Sequence, residues 1–350
     1  MSDTFAARLL DWQRRHGRHD LPWQRDPTPY RVWVSEIMLQ QTQARTVVPY
    51  YERFVARFPD VRTLAAAHLD EVLHLWSGLG YYARARHLHA AAGRICAEHD
   101  AELPQELERL KDLPGIGRST AGAILALSRG QRHPILDGNV RRVLARYHAI
   151  DGWSGERQVE QRLWTLAESH TPDRDIARYT QAMMDLGATV CVRVRPSCER
   201  CPLEADCRAR LLGREHELPA PRPRKQLPVR RARMLIAVND EGAVLLEQRA
   251  PAGVWGGLWS FPELQEEETA AEWLQRRLGC RGGDPLEWPV LRHTFTHFHL
   301  DIVPLLARVP AAPASVMEQP GFVWYKDDAR LALGLATPVR SLIAQLDGTK

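Results

Sequence analysis

Near residue 220 the apolar period of this chain changes, and no single fold accommodates both halves. Upstream, Leu64–Leu75, Ala83–Glu98, Thr120–Leu127 and Val159–Glu168 carry apolar side chains at three- and four-residue spacing, as helices with one buried face do. Downstream the period is two. Met234–Val238, the turn Asn239-Asp240-Glu241-Gly242 and Ala243–Gln248 predict a β-hairpin. Leu300–Leu306 reads as a further strand, and Ala270–Leu278 and Val339–Leu346 as short helices. Between the halves, GREHELPAPRPRKQLPVRR holds Pro219, Pro221, Pro223 and Pro228, which argue against a helix or a central strand. The expected organisation is an all-α domain over residues 1–212, a linker over 213–230 and an α+β domain over 231–350. At 350 residues, each domain has room for its own core. Residues 208–233 hold nine Arg or Lys against Glu215 and Glu217, in a chain of net charge +4, which points to an anionic partner. No run of eighteen apolar residues exists, so no membrane-spanning helix is expected, and no internal repeat is visible.

Four of the six cysteines fall close together as C-x6-C-x2-C-x5-C: Cys191, Cys198, Cys201 and Cys207. Arginines are threaded through them. With no signal peptide and so few cysteines, disulfides are disfavoured. Zinc sites pair closely spaced cysteines at each end, whereas only the middle pair is close here, so the spacing favours a cubane iron–sulfur cluster and leaves zinc as the rival.

Leu113-Pro114-Gly115-Ile116-Gly117 lies between a helix ending near Leu110 and one starting near Ser119. Alternate glycines let backbone N–H groups face outward beside a helix N-terminus, a cradle for a phosphate; an ordinary helix-turn-helix corner is the plainer alternative. Glu36 is the only ionisable residue in VWVSEIMLQQT, a helix opened by Thr28-Pro29. Apolar neighbours favour the neutral acid, which suits proton delivery, unless the residue faces solvent. Asp137 precedes the helix Val140–Ala149 and as N-cap would be held ionised by backbone N–H groups, a role plain capping also explains. A protonated acid beside a charged carboxylate is the pairing that glycosidic-bond cleavage uses.

WVSEIMLQQTQ, GLGYYARAR, LPGIGRSTAGAI, ILDGNVRRVLAR, MMDLGA and the cysteine loop stand in the order found in MutY-type adenine DNA glycosylases. Over essentially its whole length the chain resembles that family of the helix-hairpin-helix superfamily, in its bacterial form with a Nudix-like C-terminal domain. The resemblance implies a multidomain fold: an all-α helix-hairpin-helix glycosylase domain, its hairpin at about 106–128, and an α+β Nudix-like domain that recognises 8-oxoguanine. It implies one [4Fe-4S] cluster on residues 191–207. The implied activity belongs to base excision repair: adenine mispaired with 8-oxoguanine or G is flipped out of duplex DNA and hydrolysed off, leaving an abasic site.

By the same resemblance Glu36 protonates the base, Asp137 stabilises the sugar cation and Asn139 orients the acid or the water. Leu21, Trp23 and Gln181 line the adenine pocket, Leu39, Gln40 and Gln41 probe the vacated duplex, and Tyr81 packs beside the opposite base. Gly115 and Gly117 hold the DNA backbone. His293-Thr294-Phe295-Thr296-His297 matches the lesion-reading loop, with Thr296 where Ser is usual; a polar edge strand is the plain alternative for this run. Relatives that also nick the strand carry a lysine just before the Thr-Ala of the hairpin's second helix. This chain has Ser119 there, which implies a monofunctional enzyme. Glu266–Glu268 and Arg276-Arg277 are not in the order that Mg²⁺-dependent Nudix enzymes need, so the C-terminal domain reads as a recognition module. The expected protein is a cytoplasmic, nucleoid-associated monomer without a membrane partner. A bifunctional pyrimidine-lesion lyase and a non-catalytic lesion binder are the alternatives, opposed respectively by Ser119 and by the Glu36–Asp137 pair.

Overall fold

The computed structural model describes residues 4–223, 226–310, 321–326 and 333–347. The chain forms two compact units: Met1–Ala66 with His87–Arg224, and Ala67–Arg86 with Lys225–Lys350. Among the described residues no helix is long and apolar enough to cross a membrane.

The first unit is helical. Helix Pro29–Leu39 starts where Thr28 accepts a hydrogen bond from the Arg31 N–H and Pro29 occupies the first turn. Val32, Trp33, Val34, Ser35, Ile37 and Met38 are all buried, so nearly the whole circumference is inside the protein. This helix packs on Arg118–Arg129; Ile176–Thr189 packs on that helix and on Gly138–Tyr147. Ala123, Leu136, Val140, Leu144, Met183 and Leu186 share one apolar cluster there. The predicted helix Leu64–Leu75 is instead two, Val61–Ala66 and Leu69–Trp76. His68 starts the second by accepting from the Asp70 N–H at 3.3 Å, a cap that apolar spacing does not reveal. The helix after Asp137 runs Gly138–Tyr147, two residues earlier than its apolar pattern indicates.

The second unit is built on a mixed sheet of strands β1 Val229–Val238, β2 Val244–Gln248, β3 Trp259–Ser260, β4 Glu263–Leu264, β5 Leu286–Glu287, β6 Leu291–Thr294, β7 His299–Arg308 and β8 Phe322–Tyr325. The order is β3-β2-β1-β7-β5, with β4 on β1, β6 on β7 and β8 on β2. β1 runs parallel to β7 from Val229↔His299 to Val238↔Arg308. The Pro-rich segment therefore does enter a central strand over Val229–Arg231. Pro228 sits just outside it, and only its carbonyl is used, accepting from the His299 N–H at 2.9 Å. Helix Ala270–Leu278, boxed by Thr269 and Glu272, lays Trp273, Leu274 and Leu278 on Leu235, Leu245 and Val303. Residues 67–86 are part of this unit: the Tyr82 hydroxyl donates to Leu335 O at 3.0 Å, and Arg86 Nη1 to Gly256 O at 2.7 Å.

Candidate active site

Glu36 sits on the buried helix Pro29–Leu39 with only part of its side chain reaching solvent. Its carboxyl is pushed up to about 8, first by burial and then by the charge of Asp137, so the proton stays on it near neutral pH. Asp137 caps its helix: Oδ1 accepts from the Asn139 N–H at 3.1 Å and the Val140 N–H at 2.8 Å, and Oδ2 from Asn139 Nδ2 at 3.1 Å. These partners do not hold its carboxyl low. Burial outweighs them, and its affinity for a proton lies above the ordinary aspartate value, against the simple capping expectation. Both carboxyl groups are thus desolvated, and the charge of Asp137 adds to the shift at Glu36.

Ser119 lies in the first turn of helix Arg118–Arg129. Its Oγ accepts from the Leu136 N–H at 3.0 Å, which pins the irregular segment leading into Asp137, while Arg141 Nε donates to Leu136 O at 3.1 Å. Trp23 and Gln181 line a cavity of about 260 Å³ together with Gln13, Arg18, His19 and Ser35, the residue next to Glu36. Leu21, Glu36 and Asp137 are not among its walls; Leu21 instead leads into the short turn Pro22–Gln24. Trp23 meets Tyr51 edge to face at 5.4 Å. Fully buried Asp185 accepts from Arg18 Nε at 2.7 Å and from Gln181 Nε2 at 2.8 Å. A carboxylate only accepts here, so the Gln181 amide is fixed with its nitrogen on Asp185 and its oxygen turned away.

Leu39 and Gln40 end the buried helix, Gln40 Nε2 lies 3.4 Å from Thr120 Oγ1, and exposed Gln41 takes a left-handed φ of 59°. That backbone costs a non-glycine residue energy and turns the chain back sharply. In the hairpin, Gly115 has φ 79°, and a Cβ there would stand 2.8 Å from His87 Cβ; Gly117 caps the helix Arg118–Arg129. Gly115, Gly117 and Arg118 are exposed, while Leu113 and Ile116 anchor the turn inside. In the second unit, Tyr81 is exposed with φ 50°, and Thr296 and His297 are exposed at a turn closed by the Phe295 N–H on Phe298 O at 2.9 Å. His293 and Thr294 belong to strand β6, so the run is partly the edge strand that its alternation also allowed.

Cys191, Cys198, Cys201 and Cys207 all line one small cavity of about 30 Å³ with Arg146, Arg210 and Glu215. Among the described residues no group of three His, Cys, Asp or Glu side chains is arranged to hold a metal ion. Burial pushes the Cys201 thiol up to about 12 and raises Cys198 and Cys207, with nearby sulfur charge adding to it. Four thiols converging where thiolates are disfavoured, with Arg146 Nη1 3.3 Å from Cys191 Sγ, make a donor set suited to a cationic, sulfur-ligated centre.

Sequence reasoning missed what joins this loop to the carboxylate. Arg142 Nε donates to Cys191 O at 2.6 Å, and its Nη2 to Asn139 Oδ1 at 2.9 Å and to Gly187 O. A Cβ on Gly187 would lie 2.5 Å from Asn139 Cβ, so a glycine in mid-helix is required by this contact. The glycine in MMDLGA was the one available signal, since it weakens a helix without another visible reason.

A raised acid coupled to a capped aspartate, in a helical unit whose hairpin exposes backbone at a helix N-terminus, fits a helix-hairpin-helix glycosylase site. In agreement, residues 34–169 match the family model of the HhH-GPD superfamily base excision DNA repair proteins, and residues 233–345 match the NUDIX domain. The chain is 37% identical to the adenine DNA glycosylase of Buchnera aphidicola subsp. Acyrthosiphon pisum (strain APS), over 97% of this chain and 96% of that protein. To the adenine DNA glycosylase of Homo sapiens it is 34% identical, over 99% of this chain and 74% of that one. A solved thermostable thymine-DNA glycosylase aligns with TM-score 0.54 and 26% identity, covering 59% of this chain and 95% of its own. The chain belongs to the adenine DNA glycosylases.

Proposed function

We propose that this protein is a monofunctional adenine DNA glycosylase that removes adenine mispaired with 8-oxoguanine or G from duplex DNA and leaves an abasic site, working as a monomer at the bacterial nucleoid. The observation that carries the reading is the raised acid Glu36 electrostatically coupled to Asp137. The adenine leaves the stack. Glu36 then donates its proton to the departing base. Asp137 stabilises the oxocarbenium-like sugar until a water adds to it, losing a proton to give the abasic sugar, and Asn139 holds that carboxylate at 3.1 Å. With its nitrogen engaged by Asp185, Gln181 offers a carbonyl oxygen to an exocyclic amine, which suits adenine and not a pyrimidine carbonyl. Trp23 supplies an aromatic wall, and Leu21 supports it from the preceding turn. Leu39, Gln40 and Gln41 fill the gap in the duplex, and Gly115 and Gly117 hold the phosphates.

Residues 1–212 would carry the chemistry, 213–230 link, and 231–350 read the lesion through Phe295, Thr296 and His297, beside Tyr81. In the C-terminal part Glu268 is tied to Arg276, which supports recognition over Mg²⁺-dependent hydrolysis.

The test is a duplex with A opposite 8-oxoguanine, with and without alkali. Strand breaks only after alkali are expected; breaks without alkali would mean a lyase, and tight binding without product a lesion binder. Ser119→Lys is expected to gain nicking and borohydride trapping that the wild type lacks.

The four cysteines would hold one [4Fe-4S] cluster, which when bound supplies a rigid, redox-capable knot for the arginine-bearing loop. Purified protein is expected to be yellow-brown with roughly four irons per chain, measured by absorbance and metal analysis. Colourless protein with one zinc would overturn this assignment.

A further inference from the structure

The turn Trp255-Gly256-Gly257 is strained and crowded without an obvious structural need. Trp255, almost buried, has φ 54°, a conformation that costs a bulky side chain on the order of 1–3 kcal/mol. Gly256 admits no Cβ, because one would meet Pro251 O at 2.4 Å, and Gly257 has φ 75°. Three distinctive backbone positions in a row hold the indole in one place.

What the indole touches is the candidate lesion-reading loop. Its ring centroid lies 5.8 Å from that of His293 and 5.8 Å from that of Phe295. Phe295 is itself edge-on to His293 at 4.6 Å and stacked on Phe298 at 4.5 Å. Thr296 and His297 project from this aromatic base into solvent. The loop is short, so the position of its two polar side chains follows the position of Phe295.

The other end of the turn reaches the segment that carries Tyr81. Arg86 Nη1 donates to Gly256 O at 2.7 Å, and the Arg86 stem covers Gly257, whose notional Cβ would lie 3.6 Å from Arg86 Cδ. Arg86 is half-buried, and burial lowers the affinity of its guanidinium for its proton. Tyr81 stands five residues earlier. It is fixed in a left-handed conformation after Gly80, whose carbonyl accepts from Trp76 Nε1 at 3.1 Å and Arg84 Nη2 at 3.0 Å. Both proposed readers of the opposite base thus belong to one compact unit, although about 215 residues of sequence separate them.

We propose that Arg86 and Trp255, joined through the Gly256 carbonyl, are positioning residues that hold Tyr81 and the Phe295–His297 loop as a single lesion-reading face. Neither touches the base. They set the spacing of groups that do, and discrimination that rests on a few hydrogen bonds is lost when donors and acceptors drift by a fraction of an ångström. The proposal rests on the reading that the loop recognises 8-oxoguanine.

Three variants of the full chain test it. Arg86→Met keeps the stem over Gly257 and removes the donor. Trp255→Gly removes the ring and at the same time relieves the backbone strain, and Trp255→Phe keeps an aromatic ring. Single-turnover excision at saturating enzyme is measured for A opposite 8-oxoguanine and A opposite G, with thermal melting as a check on folding. For Arg86→Met and Trp255→Gly the ratio of the two rates is expected to fall roughly five- to thirtyfold, the equivalent of one or two hydrogen bonds, with the A·G rate nearly unchanged. Trp255→Phe should keep most of the preference. An intact ratio in the first two variants, or a fall of both rates together, overturns the proposal. The double change Thr296→Ala with His297→Ala separates the levels. If it leaves selectivity intact, the loop does not read the lesion and the underlying reading fails. If it abolishes selectivity while Arg86→Met and Trp255→Gly do not, only the positioning role is wrong.

Discussion

Replacing Glu36 by Gln is expected to slow adenine excision roughly 10²–10⁴-fold while DNA affinity stays near that of the wild type. Gln has nearly the same shape, so the buried helix Pro29–Leu39 keeps its packing; what disappears is the proton. The wild-type rate should also fall as pH rises through about 8, where Glu36 loses that proton, and the variant's residual rate should lack this limb. Stability falls over the same rise in pH. Burial raises the carboxyl above its ordinary 4.5, so its contribution is fully present below that value and is lost as pH climbs toward about 8. Above pH 8 the wild type buries a charge that Glu36→Gln does not. The variant should then be more stable by roughly 1–3 kcal/mol, which is less than the full shift implies because part of the side chain reaches water. Single-turnover kinetics and melting curves at pH 5 and pH 9 measure both effects. Near-normal excision by the variant would remove Glu36 from the mechanism.

Arg142→Met is expected to be the next most damaging change, with excision down on the order of 10²-fold and a smaller loss of DNA affinity. Arg142 touches neither base nor sugar in the proposed mechanism. Its guanidinium ties four groups: the Cys191, Gly187 and Gly138 carbonyls and the Asn139 side-chain oxygen, while Asn139 donates to Asp137. Without it, Asn139 loses the partner that fixes its amide, and the Cys191 and Gly187 carbonyls lose a charged donor. Arg142→Lys should rescue little, since a single ammonium cannot reproduce the fork. If single-turnover excision were unchanged while melting temperature fell, the network would be structural only.

Much of this site was legible in the residues because the chemistry demands unusual choices. A glutamate isolated in Val, Trp, Ile and Met announces its own desolvation, and helix Pro29–Leu39 is buried nearly all round as that pattern requires. Helices Ala83–Glu98 and Ala270–Leu278 begin and end where their apolar spacing places them. What stayed hidden depends on partners distant in sequence. His68 starts a new helix by a side-chain cap, so a continuous apolar pattern was split in two. Val229–Arg231 followed prolines and looked unable to pair, yet β7 supplies a full parallel partner. Asp137 has the hydrogen bonds of a stabilised anion, but only the packed structure reveals that burial outweighs them. Arg18 and Asp185 gave no local sign that together they orient Gln181.

The membership of residues 67–86 in the second unit has a consequence for how the protein is made. A ribosome completes this segment long before residues 225–350 leave the exit tunnel; at about 5–20 residues per second the wait is on the order of ten seconds to a minute. Through that interval Leu73, which lies beside Gly257 and Gly334, and Tyr82, which ends on Leu335, have none of these partners to fold onto. Until then the insert lacks these partners, which makes it a natural substrate for a chaperone that holds unfolded segments. A premature stop in the linker would strand that insert permanently, so its product should be cleared as a misfolded polypeptide instead of persisting as a smaller, less selective enzyme.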